Sequence, residues 1–282
     1  MGEIIDGRAI ANEIKEEVKA EVEQYKQQGI TPKLDVVLVG DDPASISYAR
    51  SKGKVSDKLG VAYELHTLPT DTPEADVLQL IERLNGDETV HGILVELPLP
   101  KHIDKEKVME AVDPNKDVDG VHPINRGYIM SGQEGLFPAT PQSCVEILLR
   151  SGVELQGKHA VLVGRGETVG KPLFFMLLKH NPTMTVCHSR TKDLASFTKQ
   201  ADIVIAAVGR AKMITGDMLK PGAVVIDAGI NQAEDGGLCG DVDFDSAKEV
   251  AGKITPVPGG VGSMTTALIL KNVLKAIKKQ QG

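Results

Sequence analysis

The chain has 282 residues, of which 41% are hydrophobic and 25% charged, and its formal net charge is −7. That length accommodates one large domain or two smaller ones, and we expect two. The acidic balance, with Lys and Arg scattered along the chain, argues against a nucleic-acid partner held through its phosphates.

Strands and helices alternate in the first half of the chain. A helix is predicted at 13–26, strands at 34–39, 62–68 and 92–96, and helices between them at 43–59 and 74–85. Nearly continuous apolar strands joined by amphipathic helices favour a mostly parallel sheet covered on both faces, because right-handed crossovers place the helices over it.

A second alternating series follows a looser stretch at 113–138. A helix starting at Thr140-Pro141 leads into strands at 159–163, 184–187, 203–207 and 223–227, with helices at 172–179, 194–200 and about 265–279. The predicted fold class is therefore α/β, with two α/β domains of which the second is Rossmann-like. The expected domains are 1–140, completed by the C-terminal helix 266–282, and 141–265.

Cysteine and histidine spacing indicates neither a disulfide framework nor a zinc site. Cys144, Cys187 and Cys239 are odd in number and far apart, and no His-x-x-x-His pair occurs. No apolar run is long enough to cross a bilayer, and the first residues lack the apolar core of a signal peptide. We therefore expect a cytoplasmic protein with no membrane partner and no bound metal.

Tyr48 and Lys52 form a Tyr-x-x-x-Lys pair on the predicted helix 43–59. Asp42 can cap this helix and Gly60 can end it. Four residues at about 100° each leave the two side chains roughly 40° apart, so they can serve one bound molecule. A phenol can stack and hydrogen-bond beside an amine that exchanges protons. The alternative is a surface lysine beside a half-buried tyrosine.

A glycine-rich loop follows the strand predicted at 159–163. Its sequence, Gly164-Arg165-Gly166 through Gly170, has one residue more than the usual dinucleotide fingerprint. Glycines at this place let the backbone approach a pyrophosphate at the start of the next helix. A nucleoside-triphosphate loop fits less well, because Pro172 follows Lys171 where Ser or Thr is required.

The predicted cofactor is NADP. About 20 residues beyond the glycines, where an NAD site carries an acid, the chain has His188-Ser189-Arg190. Ser189 and Arg190, together with Arg165, suit a 2′-phosphate that a carboxylate would repel. The alternative is a tight structural turn with a solvated arginine.

Three further segments indicate ligand loops. In 116–123, a carboxylate can accept two hydrogen bonds from an amino-pyrimidine edge, although the segment also suits a plain polar connection. The glycines of 258–262 permit close approach of a ligand or bending. Leu97-Pro98-Leu99-Pro100 follows a strand at the edge where open α/β sheets bind ligands.

Together these segments resemble the bifunctional methylenetetrahydrofolate dehydrogenase and methenyltetrahydrofolate cyclohydrolase family. The resemblance covers nearly the whole chain, and so many ordered matches are very specific. The matching segments are 39–45 with Tyr48 and Lys52, 92–95 with 97–100, 116–120 with 122–123, 169–170, 185–191, 225–227 with 229–231, 240–242, and 255–262 with 264–265.

The resemblance implies that folate lies in a cleft between the two domains. Asp119 would hold the pterin edge, Tyr48 would stack on the ring system, and Lys52 would be the central catalytic group. The residues implied to line the folate are Val95, Leu97, Pro258, Gly259, Gly260, Val261 and Gly262. Those implied to contact NADP are Gly164, Arg165, Gly166, Ser189 and Ile230, and the charge argument adds Arg190.

The implied reaction has two steps. A hydride moves from 5,10-methylenetetrahydrofolate to the nicotinamide, and water then attacks the methenyl carbon to give 10-formyltetrahydrofolate, with proton transfer by Lys52. The resemblance also implies a homodimer paired through the second domain, with a role in one-carbon metabolism and purine biosynthesis.

Glu96 stands where relatives of this family usually have glutamine beside the lysine. It is placed among the catalytic residues, yet its carboxylate would favour protonated Lys52 and oppose its use as a base. Our hypothesis is that Glu96 is protonated or shares a proton with Lys52. The alternative is a dehydrogenase with weakened cyclohydrolase activity. Gly166 likewise replaces a usual serine and removes one possible phosphate donor.

Three other protein classes share parts of this pattern. A short-chain dehydrogenase also uses Tyr-x-x-x-Lys, but there the glycine fingerprint precedes the pair. A shikimate-dehydrogenase-like enzyme leaves the segments around Lys52 and Asp119 unexplained. A non-catalytic NADP-binding regulator is the alternative that is not an enzyme.

Overall fold

Helices and strands alternate along the chain, as the sequence predicts. The computed structural model describes residues 1–233 and 236–281. The strands are β1 (Glu3–Ile4), β2 (Lys33–Val39), β3 (Ala62–Leu68), β4 (Gly92–Val95), β5 (His159–Val163), β6 (Thr183–Cys187), β7 (Ile203–Ala206), β8 (Val224–Asp227), β9 (Asn231–Gln232), β10 (Leu238–Cys239) and β11 (Lys253–Ile254). The α-helices are α1 (Gly7–Gln27), α2 (Pro43–Leu59), α3 (Glu74–Gly86), α4 (Lys105–Ala111), α5 (Pro123–Ser131), α6 (Ala139–Arg150), α7 (Gly170–Leu178), α8 (Leu194–Thr198), α9 (Phe244–Val250) and α10 (Thr265–Gln281).

The chain divides into two compact units. One comprises Met1–Asn12, Ile129–Gly132 and Ala139–Thr265, and the other comprises Glu13–Tyr128, Gln133–Pro138 and Thr266–Gly282. We call the first the dinucleotide unit, after its glycine loop, and the second the lysine unit, after Lys52. Residues 1–12 belong to the dinucleotide unit because β1 pairs in parallel with β11 at the edge of its sheet. The functional domain boundaries expected at 140 and 265 stay a prediction.

The lysine unit is built on a three-stranded parallel sheet in the order β3-β2-β4. On one face, Val37 and Val39 pack with Val77 and Ile81 of α3 in the buried core. On the other face, the ring of Tyr63 lies so close to α2 that a Cβ on Gly53 would come within 3.0 Å of it. The sheet is therefore covered on both faces.

The caps predicted for α2 are confirmed. Asp42 Oδ2 accepts a hydrogen bond from the amide of Ser45 at 2.8 Å, Pro43 takes the first helical position, and Gly60 ends the helix in a left-handed conformation. Helix α1, in contrast, begins at Gly7 and not at residue 13. Asp6 Oδ1 accepts from the amides of Arg8 and Ala9, an N-terminal signal that the prediction overlooked.

The stretch 113–138 contains helix α5 and is more regular than predicted. Buried Asp117 accepts hydrogen bonds from the amide of His122 and from Asn125 Nδ2, both at 2.9 Å, and this contact holds the start of the helix. Its nine residues are too few for a clear apolar period, and the stabilising contact comes from a preceding loop.

The dinucleotide unit has a six-stranded parallel sheet in the order β1-β11-β8-β7-β5-β6. The order reverses at β5, whose neighbours β6 and β7 both come later in the chain. In open α/β sheets, ligands bind beyond the carboxyl ends of the strands at such a reversal. The loop after β5 starts at Gly164, so the sheet topology puts the glycine loop at this place. Among the described residues, no helix combines the length and apolar character needed to cross a bilayer.

Candidate functional site

Lys52 of α2 and Glu96, which follows β4, form a close and largely buried pair. Lys52 Nζ lies 2.6 Å from Glu96 Oε1, and the side chains are 13% and 10% exposed. The amide of Glu96 donates to the carbonyl of Val37, so the residue extends the edge of the sheet. The structure thus brings together Lys52 and Glu96, which the family resemblance implied to be neighbours.

Tyr48 lies beside this pair on the same helix face. Tyr48 is 58% exposed, and Lys52 Nζ lies 6.0 Å from the centroid of its ring. An exposed aromatic face near an amine offers a stacking surface for a flat ligand. The predicted proximity of the two side chains is confirmed.

Two contacts fix α2 relative to the strands. Tyr63 of β3 donates its hydroxyl hydrogen to the carbonyl of Ala49 at 2.7 Å, and burial together with the charge of Glu96 raises the pKa of Tyr63. At the start of the helix, Ser45 Oγ donates to the carbonyl of Leu97 at 3.2 Å. Tyr63 was not predicted as a site residue. The signal in the sequence was an aromatic residue on the strand that follows a helix containing a glycine, Gly53, against which the ring can pack.

Asp119 is electrostatically coupled to the Lys52–Glu96 pair. Burial by the surrounding protein is the main reason that its pKa is raised to about 6, and the charges of Asp117 and Glu96 act in the same direction, whereas Lys52 lowers it. Gly120 turns the chain directly after it with φ of +66°, and a Cβ there would lie 2.5 Å from the backbone of Phe137. The backbone next to Asp119 therefore requires glycine.

Lys116 connects the loop that carries Asp119 to the end of helix α3. Its side-chain ammonium donates to the carbonyls of Leu84, Asn85 and Asp87 at 3.1, 2.7 and 2.8 Å, which satisfies the C-terminal end of α3. Desolvation lowers the pKa of this buried lysine. Lys116 therefore holds the loop in place.

Val95 and Leu97 lie mainly in the core of the lysine unit. Val95 is buried in the cluster that covers one sheet face, and Leu97 packs against the same cluster. Their predicted contact with folate stays a prediction. They are the residues on either side of Glu96 in the sequence, and their packing helps to fix the backbone there.

In the dinucleotide unit, the turn after β5 requires glycine. Gly164 has φ of +127°, and a Cβ there would approach the backbone carbon of Ala207 to 2.7 Å. A Cβ on Gly170 would lie 2.7 Å from Arg165 Cα, so the loop folds back tightly on the start of α7. Arg165 and Gly166 are exposed at its tip. A nearby backbone without side chains and an exposed arginine fit a bound pyrophosphate.

Ser189 and Arg190 lie at the same sheet edge as this loop. Strands β5 and β6 are paired with Val163 opposite Cys187, so the residues after each strand run side by side. The turn is held by the amide of His188, which donates to Thr191 Oγ1 at 2.9 Å, and by the amide of Arg190, which donates to His188 Nδ1 at 3.2 Å. Ser189 and Arg190 are both exposed and fit the 2′-phosphate of NADP.

The glycine segment 258–262 and Ile230 come together in the dinucleotide unit. A Cβ on Gly262 would lie 3.5 Å from Ile230 Cδ1, and Ile230 is 55% exposed whereas Val261 is buried. Gly259 adopts φ of +108°, and the peptide between Val257 and Pro258 is cis. Predicted folate-side and cofactor-side residues thus meet at one surface of this unit.

Two buried carboxylates, which sequence reasoning did not assign to the site, fix the loop that carries Ile230. Asp227 accepts hydrogen bonds from the amides of Gly229, Asp241 and Val242, and burial raises its pKa to about 6. Asp241 accepts from three consecutive amides, beginning with Val208 at 2.6 Å, and from a side-chain amide. An acid at the end of an apolar strand was the signal in the sequence.

Comparison with known proteins assigns both units to one family. Residues 5–119 match the family described as "Tetrahydrofolate dehydrogenase/cyclohydrolase, catalytic domain", and residues 138–281 match its "NAD(P)-binding domain". The bifunctional protein FolD 2 of Desulfitobacterium hafniense is 66% identical over 281 residues, which cover 100% of this chain and 99% of that protein.

Solved structures agree with this assignment. The bifunctional FolD of Campylobacter jejuni superposes with a TM-score of 0.97 at 44% identity, covering 99% of this chain and 100% of the other. The Trypanosoma brucei dehydrogenase-cyclohydrolase, solved with NADP and an inhibitor, gives a TM-score of 0.93 at 36% identity, covering 99% and 98% of the two chains. From the matched domains and the full-length identity, the chain belongs to the tetrahydrofolate dehydrogenase/cyclohydrolase family.

Proposed function

We propose that the protein oxidises 5,10-methylenetetrahydrofolate with NADP and hydrolyses the resulting 5,10-methenyltetrahydrofolate to 10-formyltetrahydrofolate. The observation that carries this proposal is the Lys52–Glu96 pair at 2.6 Å, next to an exposed tyrosine ring, in a chain of this family. An amine held beside a carboxylate can give and take protons at a ring nitrogen, and a ring face nearby can hold a pterin.

In the lysine unit, each residue takes one task. Asp119, when ionised, accepts hydrogen bonds from the amino-pyrimidine edge of the pterin. Tyr48 stacks on the ring system and so positions the one-carbon bridge. Lys52 relays a proton between water and the ring nitrogen in the hydrolytic step, and Glu96 sets how readily its amine holds that proton. Val95 and Leu97 shape the apolar floor.

In the dinucleotide unit, the glycine loop and the arginines bind NADP, which supplies the hydride acceptor. Gly164, Arg165 and Gly166 receive the pyrophosphate, and Ser189 and Arg190 receive the 2′-phosphate. Ile230 and the segment 258–262 line the surface that faces the nicotinamide and the folate. The exposed arginines and the close backbone at Gly164 fit this cofactor.

A second function is favoured by the geometry of Glu96. A carboxylate 2.6 Å from the amine stabilises positive charge there, which opposes the use of Lys52 as a base. The protein would then act chiefly as a dehydrogenase. The test therefore compares the rate of the dehydrogenase reaction with the rate of the cyclohydrolase reaction.

The assay is formation of NADPH from 5,10-methylenetetrahydrofolate, followed by its absorbance, with NADP and NAD run in parallel. Consumption of 5,10-methenyltetrahydrofolate is read separately. We expect Lys52→Met to lose cyclohydrolase activity by about 100-fold or more, whereas Lys54→Met, an exposed lysine of the same helix, keeps it. No NADPH formation together with tight NADP binding would contradict the proposal and favour a regulator.

The proposal includes a cytoplasmic homodimer formed through the dinucleotide unit, as expected from the family resemblance. Strand β6 is the end strand of its sheet, and Val186 on that strand is exposed, which supports pairing with a second copy. Light scattering after size exclusion tests it, and a monomer at assay concentration would contradict it.

A further inference from the structure

A cluster of charged side chains outside the proposed catalytic residues lies on the sheet of the lysine unit. Lys33 and Asp35 come from β2, and Glu64 and His66 come from β3. Asp35 is directly opposite Glu64 in the parallel register, and His66 is two residues further along. These positions share the face on which Val37 packs against α3. We call these four residues the strand cluster.

Asp35 is the unusual member of the strand cluster. Its side chain is fully buried, and Oδ1 lies 2.7 Å from His66 Nε2. Asp35 Oδ2 is also buried and has no hydrogen-bond partner. A buried carboxylate oxygen without a hydrogen bond is unfavourable, so a ligand at this oxygen would stabilise the site.

Lys33 forms an ion pair with that oxygen and a shorter contact with Glu64. Its ammonium lies 3.3 Å from Asp35 Oδ2 and 2.7 Å from Glu64 Oε2, and its hydrogen bond goes to Glu64. The ammonium therefore lies between the two carboxylates, in the position that a bound cation would take. Within the strand cluster one lysine faces two carboxylates, while Arg83 acts on Glu64 and Lys116 acts on Asp35 from outside the cluster.

We propose that Asp35, Glu64 and His66 form a binding site for a divalent transition metal, with Zn²⁺ as the best fit. One ligand atom from each residue can be chosen so that all three lie within 4.8 Å of one another. Tetrahedral zinc with bonds of about 2.0–2.1 Å has ligand atoms about 3.3 Å apart. The separations from His66 Nε2, 2.7 Å to Asp35 and 3.9 Å to Glu64, lie on either side of this value.

Binding requires only small side-chain changes. Asp35 and His66 are held by the surrounding core, whereas Glu64 is about half exposed and can rotate towards the metal. Lys33 has a flexible stem that can carry its ammonium outward to solvent. The metal displaces the hydrogen that lies between His66 Nε2 and Asp35 Oδ1. That hydrogen moves through solvent to Nδ1 or to bulk water, Nε2 binds the metal, and a water molecule completes the fourth position.

The metal would join two neighbouring strands through side chains and stabilise the lysine unit. The residues that it uses are separate from Lys52, Glu96 and Asp119. The sequence could not show this site, because its ligands lie on two strands and only their register brings them together. A search for helical His-x-x-x-His spacing misses such an arrangement.

The test is equilibrium dialysis of the full-length protein with Zn²⁺, and titration with Co²⁺ followed by its visible absorption. We expect one equivalent bound, with the spectrum of nitrogen and oxygen ligands. His66→Gln and Asp35→Asn should weaken binding about 100-fold, and Lys33→Met should tighten it about tenfold because the competing ammonium is gone. His180→Gln, in the other unit, is the matched control.

The experiment still decides the question if one variant folds poorly, because each of the other variants gives an independent result. Circular dichroism checks each variant, and the Lys33→Met arm leaves all three ligands in place. Tighter binding in Lys33→Met and loss in either ligand variant support the site. No binding to the wild type, unchanged affinity in folded His66→Gln, or a thiolate-to-cobalt charge-transfer band would overturn it.

Discussion

Replacement of Glu96 by glutamine tests how the carboxylate controls Lys52. At 2.6 Å, two unit charges attract by about 6 kcal/mol at an effective dielectric constant of about 20. Desolvation offsets most of this, because both side chains are largely buried. A hydrogen bond between charged groups retains about 1.5–3 kcal/mol, and this corresponds to a factor of about 10 to 150 in rate at about 1.36 kcal/mol per tenfold.

The sign of the effect follows from the charge. The carboxylate stabilises positive charge on the amine of Lys52, so its removal makes the amine more readily available as a base. We expect hydrolysis of methenyltetrahydrofolate near neutral pH to be about tenfold or more faster in Glu96→Gln. Dehydrogenase turnover changes little, since hydride transfer needs no proton from Lys52.

The assay follows the loss of methenyltetrahydrofolate absorbance across about pH 6 to 9, after subtraction of the spontaneous rate. Glu82→Gln, an exposed glutamate of α3, controls for the loss of one negative charge from the unit. A profile in Glu96→Gln that coincides with the wild type would refute the coupling of Glu96 to Lys52.

Four other outcomes can be measured independently. Binding of 5-formyltetrahydrofolate weakens as pH falls through about 6, because the pKa of Asp119 is raised to about 6 and its ionised form is the better acceptor; calorimetry measures this, and Asp119→Asn should abolish the pH dependence. Arg190→Glu raises the KM for NADP about tenfold or more while leaving the KM for NAD nearly unchanged, and equal increases would contradict the 2′-phosphate assignment. Lys116→Met lowers the free energy of unfolding in urea by about 3 kcal/mol, at about 1 kcal/mol for each of its hydrogen bonds, whereas exposed Lys101→Met changes it by less than about 0.5 kcal/mol. The pKa of Asp227 is raised to about 6 in the folded protein, so Asp227 contributes a free energy of unfolding, relative to Asp227→Asn, that is fully present below about pH 4. This contribution falls by up to about 1.36 kcal/mol per pH unit as the pH rises to about 6. A difference in unfolding free energy that does not depend on pH would show that Asp227 does not titrate there.

The sequence predicted those parts of the fold whose signals are local. The capping preferences of Asp42 and Gly60 predict the two ends of α2. Gly164 predicts a turn, and its backbone conformation and close neighbours leave no room for a side chain. The alternation of apolar strands with amphipathic helices then predicted the parallel sheets.

Other features depend on contacts that are distant in sequence, and sequence reasoning missed them. Strands β1 and β11 have two residues each; β11 pairs with β8, and β1 has β11 as its partner. The contacts of Lys116 with the end of α3 and the strand cluster around Asp35 depend on how separate segments align. The family resemblance placed Lys52 beside Glu96, but only coordinates give their separation, and the roles of the individual site residues stay predictions.

The pairing of β1 with β11 has a consequence for how the protein folds. Glu3 lies opposite Lys253, so this strand pair joins segments that are 250 residues apart in the chain. Closing so long a loop is slow, and the sheet edge stays open meanwhile. We infer that this edge of the sheet forms late in folding, after the strands at the centre of the sheet have paired.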